Sequence, residues 1–396
     1  MIDPRTTARM IFDAGVAAAD PYAAVLRNLH TVDDPALIIA VGKAAMRMAE
    51  AALERFAGVP CIVVTNYENA GDLAGARVMA AGHPVPDENG AAAGQAVLGA
   101  LQGATGPVLA LISGGGSALL PAPVTGVSLV DKAAVNTALL GAGLDIVQMN
   151  LVRQQLSQIK GGGMLRAAAP HQITALILSD VVSDELSAIA SGPTVPPLGT
   201  AEDARKILHK AGIWDGLPAS VQAHLSADHA ALDLPVGKNT LIGSNAQSVA
   251  AMLAASPKAR VLDRVEGDVA AAAKVICDNA GPGVTLWGGE TTVVLRGTGR
   301  GGRNQELALR IALEADARGW TDWVCLQGGS DGRDGPTDAA GGLVDQGTSA
   351  RIAAAGGDVA AMLTNNDSYA ALKLAGDLLI TGATGTNVAD LGVLIR

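Results

Sequence analysis

Eight short apolar runs recur along this 396-residue chain, and each stops abruptly at glycine or a small polar residue. Leu37–Val41 runs into Gly42 and Lys43, 61–64 into Thr65 and Asn66, and 109–112 into Ser113, three glycines and Ser117. Ile173–Leu178 meets Ser179 and Asp180, 240–242 meets Gly243, Ser244 and Asn245, and 284–287 meets Gly288, Gly289 and Glu290. The run 323–327 ends in Gly328, Gly329, Ser330 and Asp331, and 378–380 in Thr381 and Gly382. Continuous apolar runs of this length read as strands buried on both faces, the pattern of parallel sheets covered by helices. Taken singly, each glycine is ordinary turn chemistry. Taken together, they read as strand ends gathered around a cleft, where open α/β sheets hold their ligands.

Composition narrows the rest. The length favours two domains. Aromatics are only 2% of residues, so the core has to be built from Ala, Val, Leu and Ile. The net charge of −10 argues against a nucleic-acid surface, which needs the opposite sign. No apolar run approaches the roughly 18–20 residues of a membrane span, and residues 1–15 hold no signal-type apolar segment, so a cytoplasmic chain is expected. Cys61, Cys277 and Cys325 are scattered within or near apolar segments and read as buried thiols. The spacings of a zinc site are absent.

Chemistry-bearing residues lie at the ends of these runs. Lys43 precedes the helix predicted over 44–56, where a helix N-terminus already favours an anion. Either it snorkels to solvent or it holds a negative ligand. The frame around it is not that of a P-loop. His83, in the proline-rich loop 82–90, is open to a structural or a substrate-contacting role. Asn150 is expected to cap a helix running on through 151–165, which places Arg153 and Lys160 on one face, as an anion clamp or as a solvated stripe. Asp180 and Asp184 are hard oxygen ligands suited to Mg2+ or to orienting hydroxyls.

Gly297, Gly299 and Gly302 match G-x-G-x-x-G between a strand and a helix. The acid expected roughly 20 residues on is misplaced, and Arg300 and Arg303 flank the turn, so a phosphoryl group or carboxylate suits it better than a dinucleotide. Asp331, Asp334 and Asp338 crowd into a glycine-rich loop without the spacing of an EF-hand. Asn365 and Asn366 are candidate hydrogen-bonding groups, and the strand-turn-strand within 377–395 reads as a hairpin closing the second sheet.

Blocks 41–45 (VGKAA), 82–90, 111–123, 179–194, 288–293, 299–309, 329–342 and 365–369 together resemble the class II glycerate 2-kinase family. Its C-terminal half is the MOFRL domain, and its members are often labelled hydroxypyruvate reductase. The resemblance implies a two-domain α/β fold. An N-terminal Rossmann-like α/β/α sandwich with a mainly parallel sheet covers 1–235, a C-terminal α/β MOFRL domain covers 236–396, and the site lies in the interdomain cleft. The boundary is placed at the polar, proline-bearing stretch 224–237.

The resemblance also implies ATP- and Mg2+-dependent phosphorylation of D-glycerate at its 2-hydroxyl. Lys43, Arg303 and Asp331 take the catalytic positions. Ser113, Gly114, Gly115, Gly116 and Ser117, with Arg300, Gly301 and Asn304, are expected to bind nucleotide or phosphate. Arg153, Lys160, Asp180, Glu290 and Asn366 are expected to bind substrate, and Asp331, Asp334 and Asp180 the metal. A small hydroxy acid and a nucleotide are the expected partners, with no nucleic acid and no membrane, and a homodimer is allowed. Two rivals remain: an NAD(P)H-dependent hydroxypyruvate reductase using 297–302, and a non-catalytic phosphosugar-binding regulator.

Overall fold

The apolar runs of the N-terminal half pair side by side. In the computed structural model, which describes residues 3–229 and 234–396, six strands form one sheet. They are β1 (Leu37–Val41), β2 (Cys61–Asn66), β3 (Ala76–Ala81), β4 (Val108–Ser113), β5 (Ile173–Leu178) and β6 (Lys238–Gly243), ordered β3-β2-β1-β4-β5-β6. The pairings of β1 with β2 and β4, of β2 with β3 and of β4 with β5 are parallel. Every residue of β1, β2 and β4 is buried, at roughly 1.5–3 kcal/mol for each fully buried Val, Leu or Ile side chain. Helix Ala45–Arg55 lies close on this sheet because Ala45, Ala49 and Ala52 offer only methyl groups to it. The chain winds from β1 toward β3 on one side and from β4 toward β6 on the other. The ends of β1 and β4 therefore flank the switch point at which doubly wound sheets bind ligands.

The C-terminal half forms a mixed sheet from β7 (Arg260–Val261), β8 (Val265–Asp268), β9 (Val284–Thr292), β10 (Val324–Gly329), β11 (Gly341–Asp345), β12 (Leu378–Leu379) and β13 (Asp390–Ile395). The order is β12-β11-β10-β13-β9-β7, with β8 also paired to β9. Two expectations change here. The run at 284–287 does not stop at Gly288: β9 continues to Thr292, and the glycines mark close contact instead of a turn. A Cβ on Gly289 would lie 1.9 Å from the Val265 carbonyl oxygen of the neighbouring strand. The hairpin expected within 377–395 does not form either, because β11 and β10 stand between β12 and β13.

The chain divides into two compact units, Pro21–Ile242 and Met1–Asp20 together with Gly243–Arg396. The boundary expected at 235 puts the first helix, Pro4–Ala18, in the N-terminal domain. Its contacts lie instead on helix Asn245–Ala255, β10 and β13, with Phe12 buried in a cluster containing Met252, Leu326 and Leu391. The stretch expected to link the domains, 224–237, lies partly outside the described residues. Cys61, Cys277 and Cys325 are buried free thiols, and burial pushes the first two up to about 12.

Candidate active site

Turns after β1 and β4 meet at the switch point. Gly42 has φ 122°, and a Cβ there would fall 2.1 Å from Ser113 Oγ. Ser113 Oγ accepts the Ala44 N–H at 3.1 Å, and the Lys43 N–H donates to the Gly114 carbonyl at 2.9 Å. Gly115 follows with φ 85°, so the chain curls with its amides on the inside of the turn. None of the backbone N–H groups of Gly114, Gly115, Gly116 or Ser117 has an acceptor among the described residues. Orphaned N–H groups are rare where the chain is buried, as it is at Gly114 and Gly116. Four in succession form a nest that fits an external anion.

Side chains close in on this nest. The Lys43 Cγ and the His83 ring each lie 3.2 Å from where a Gly115 Cβ would stand, and Asp180 Oδ2 lies 1.9 Å from the corresponding point on Gly114. Ser117 Oγ shares a 2.6 Å hydrogen bond with Ser191 Oγ, whose residue and Ala190 have left-handed φ of 60° and 50°. Such strain concentrates at functional sites. Ion pairs in this unit join Arg47 to Glu50 and Lys206 to Glu202 and Asp203. Lys43 has no carboxylate partner among the described residues. Burial, followed by the Lys43 charge, holds the His83 imidazole below its ordinary value.

A second feature adjoins the nest through Ser117. A cavity of about 330 Å³ is lined by the loop holding Pro84 and Pro86, by Ser117, and by Lys132, Arg153 and Lys160. The helix expected to begin after Asn150 starts instead at Ile146, capped by Asp145 in a capping box with Gln148, and ends at Gln155. Asn150 is buried within it. Arg153 and Lys160 therefore share no helix face, yet the cavity brings them together. Lys160 Nζ donates to the Ser117 carbonyl at 2.9 Å and Arg153 Nε to Asn136 Oδ1 at 3.0 Å. Burial and the Arg153 charge bring Lys160 down to about 7.

In the other unit, Arg303 opens helix Arg303–Ala317. Its Nε donates to Asp390 Oδ2 at 2.7 Å and its Nη2 to Asp390 Oδ1 at 3.1 Å, while Nη1 pairs with Glu290 Oε1 at 2.9 Å. Although burial opposes its charge, Asp390 and Glu290 hold the guanidinium firmly protonated. Asn304 ties Asp390 to a chain of amides: its Nδ2 donates to Asp390 Oδ1, Gln327 Nε2 donates to Asn304 Oδ1, and Trp287 Nε1 donates to Gln327 Oε1. Neither Asp390 nor Gln327 stands out in the sequence, since each is a lone polar residue in an apolar strand.

The acids near this helix differ in their work. Asp334 receives the Asn304 and Gln305 N–H groups at 3.1 and 2.8 Å, so it fills the helix N-terminus itself. Burial raises it to about 6. Asp331 accepts the Arg333 N–H at 3.0 Å, and Asp338 accepts from the Tyr369 hydroxyl. Among the described residues no three His, Cys, Asp or Glu side chains gather closely enough to hold a metal ion.

The turn 297–302 is occupied by the chain itself. The N–H groups of Arg296 and Gly297 go to Asn366 Oδ1, that of Thr298 to Asn365 Oδ1, that of Gly299 to the Asn365 carbonyl, and that of Arg300 to Asp367 Oδ1. A Cβ on Gly297, Gly299, Gly301 or Gly302 would run into Asn365, Asp367, Ser368 or Asp334. These glycines serve the close passage of the chain, and Arg300 packs its guanidinium 4.9 Å above the Tyr369 ring. The Asn366 side chain also donates to the Val294 carbonyl and Glu306, so its amide is fully committed within the fold.

A doubly wound sheet with an open N–H cradle at its switch point belongs to the α/β proteins that bind small anionic ligands. Comparison with known proteins specifies which. Residues 7–226 match the model described as a domain of unknown function, DUF4147, and residues 283–390 match the MOFRL family. A D-glycerate 2-kinase of Thermotoga maritima is 38% identical over 99% of each chain. A chain of Agrobacterium vitis named for hydroxypyruvate reductase is 40% identical over 100% of this chain and 95% of its own length. The crystal structure of the Thermotoga maritima glycerate kinase superimposes with a TM-score of 0.92 over 99% of both chains. This chain belongs to the glycerate 2-kinase family with a MOFRL domain. Among the described residues no helix is long and apolar enough to cross a membrane.

Proposed function

We propose that this protein transfers the γ-phosphoryl group of ATP to the 2-hydroxyl of D-glycerate, giving 2-phosphoglycerate. The observation that carries this reading is the row of N–H groups from Gly114 to Ser117 that have no acceptor among the described residues, with Lys43, which has no carboxylate partner among them, packed against Gly115. Phosphoryl transfer needs little covalent chemistry; it needs fixed donors and cations on the migrating group. The cradle and Lys43 serve the phosphates, and Arg303, held in place by Asp390, serves the developing charge. Arg153 and Lys160 hold the substrate carboxylate, and Asp331 accepts the hydroxyl proton. In this scheme Lys43 comes from the unit Pro21–Ile242 and Arg303 from the unit that joins Met1–Asp20 to Gly243–Arg396.

Mg2+ bound with nucleotide phosphates asks for only one or two protein carboxylates, which suits Asp331 or Asp180. Asp334 is poorly suited, with both oxygens given to helix amides. The ion would neutralise phosphate charge. The reductase reading loses its support where 297–302 spends its amides on 365–367.

Phosphorus NMR of the product from D-glycerate, ATP and Mg2+ tests the proposal: 2-phosphoglycerate is expected. Consumption of NADH by hydroxypyruvate, with no ADP release from glycerate, would overturn it. Lys43→Ala and Arg303→Ala should each lower kcat by roughly two to four powers of ten, the usual cost of losing preorganised charge stabilisation. Unchanged turnover removes that residue from the mechanism.

A further inference from the structure

Lys132 lies on helix Leu129–Gly141, apart in sequence from Arg153 and Lys160, yet it faces the same cavity. Among the described residues no aspartate or glutamate lines that cavity. Among the described residues each cation is anchored by a neutral oxygen: Lys132 Nζ on the Pro121 carbonyl, Arg153 on Asn136 Oδ1, and Lys160 Nζ on the Ser117 carbonyl. These bonds orient the three charges without neutralising them. Burial and mutual repulsion disfavour the charged forms of groups placed this close, which burdens the fold. Burial, then Lys160 and Arg153, hold Lys132 well below its ordinary value. A methionine or leucine would fill the same volume at less cost to stability. What the lysines supply is complementarity to negative charge.

The rest of the wall says what else fits. Val135 and Leu156 form a buried part of the wall beside the cations, whereas Pro84 and Val85 are exposed at its rim; the apolar wall strengthens any ion pair formed against it. The cavity volume of about 330 Å³ leaves more room than a three-carbon acid takes. Ser117, which anchors Lys160, is also the last residue of the N–H cradle, so an acid held here reaches toward the cradle.

We propose that Lys132, Arg153 and Lys160 form the acid-binding subsite for the phosphoryl acceptor, and that its charge selects hydroxy acids with two anionic groups over those with one. The identity of the occupant as acceptor rests on the phosphotransfer reading; the binding preference does not.

Titration calorimetry at pH 6, where more of Lys160 is protonated, on the full-length protein with tartrate and D-glycerate as probes tests it. Tartrate is expected to bind about tenfold or more tightly than D-glycerate, as buried charge pairing would give. Lys132→Met should melt at the same or a higher temperature without ligand, because a repelled cation is gone, and should bring the two acids within about twofold. Lys132→Arg should restore the difference. Arg153→Met gives the same readout should Lys132→Met fail to fold. Equal affinity for the two acids in the wild type, or an undiminished preference in Lys132→Met, would overturn the subsite. A protein with this preference but no ADP release from D-glycerate keeps the subsite and loses the kinase. One that phosphorylates D-glycerate without the preference keeps the kinase and loses the subsite.

Discussion

Lys160 is a side chain whose charge state is set by its surroundings. Its folded-state value is depressed from 10.5 to about 7. Above pH 10.5 it is neutral whether folded or not. As pH falls toward 7 the unfolded chain takes up a proton that the folded pocket refuses, so this group's contribution to stability declines, then levels off below 7. Ligand binding runs the other way, since an anion meets a full ammonium only below about pH 7. The KM for D-glycerate should therefore rise between pH 7 and 9, and Lys160→Met should flatten that rise. A wild-type KM independent of pH over this range would show that the ammonium does not touch the acid. At this scale the sequence was a partial guide. Arg153 and Lys160 were legible as a pair, but through a shared helix that does not exist. The pairing comes from the loop that carries Lys160 back against Ser117. Lys132 had no signal, because only packing of helix Leu129–Gly141 brings it to the cavity.

Among the elements, two glycine-rich turns look alike in sequence and differ in their unpaired amides. The turn after β4 leaves its N–H groups open, whereas 297–302 is sealed by 365–367 and Asp334. That contrast is invisible in the sequence, since it depends on which distant segment lies against each turn. It makes Gly299→Ala a test of stability: the added methyl would sit 2.5 Å from the Asn365 carbonyl. A loss of about 1–3 kcal/mol is expected from such overpacking, read by urea denaturation. A stable variant would mean that 365–367 does not pack against this turn. Strands were the most legible elements, because apolar runs such as 108–113 and 173–178 have no polar face to offer solvent. Glycines within strands misled the reading, as in β9, where the small residue answers a neighbouring backbone and not a turn.

For the whole molecule, the assignment of helix Pro4–Ala18 matters most. Its Arg5 pairs with Asp345 and Asp377, and Phe12 completes the second core. Deleting residues 1–20 should therefore weaken hydrogen-exchange protection in β10, β13 and helix Asn245–Ala255. Protection in β1 and β4 should stay unchanged. Equal loss in both sheets would contradict the division. What the sequence determined by itself was local: buried apolar runs, the small residues that end them, and the blocks that mark the family. Those follow from hydrophobic burial and backbone sterics, which act over a few residues. Tertiary structure alone decided which amides stay unpaired, which cations share a cavity, and which arginine is clamped by Asp390. Each of these depends on segments tens or hundreds of residues apart, and hydrogen-bond geometry and charge act only once the fold has brought them within a few ångströms.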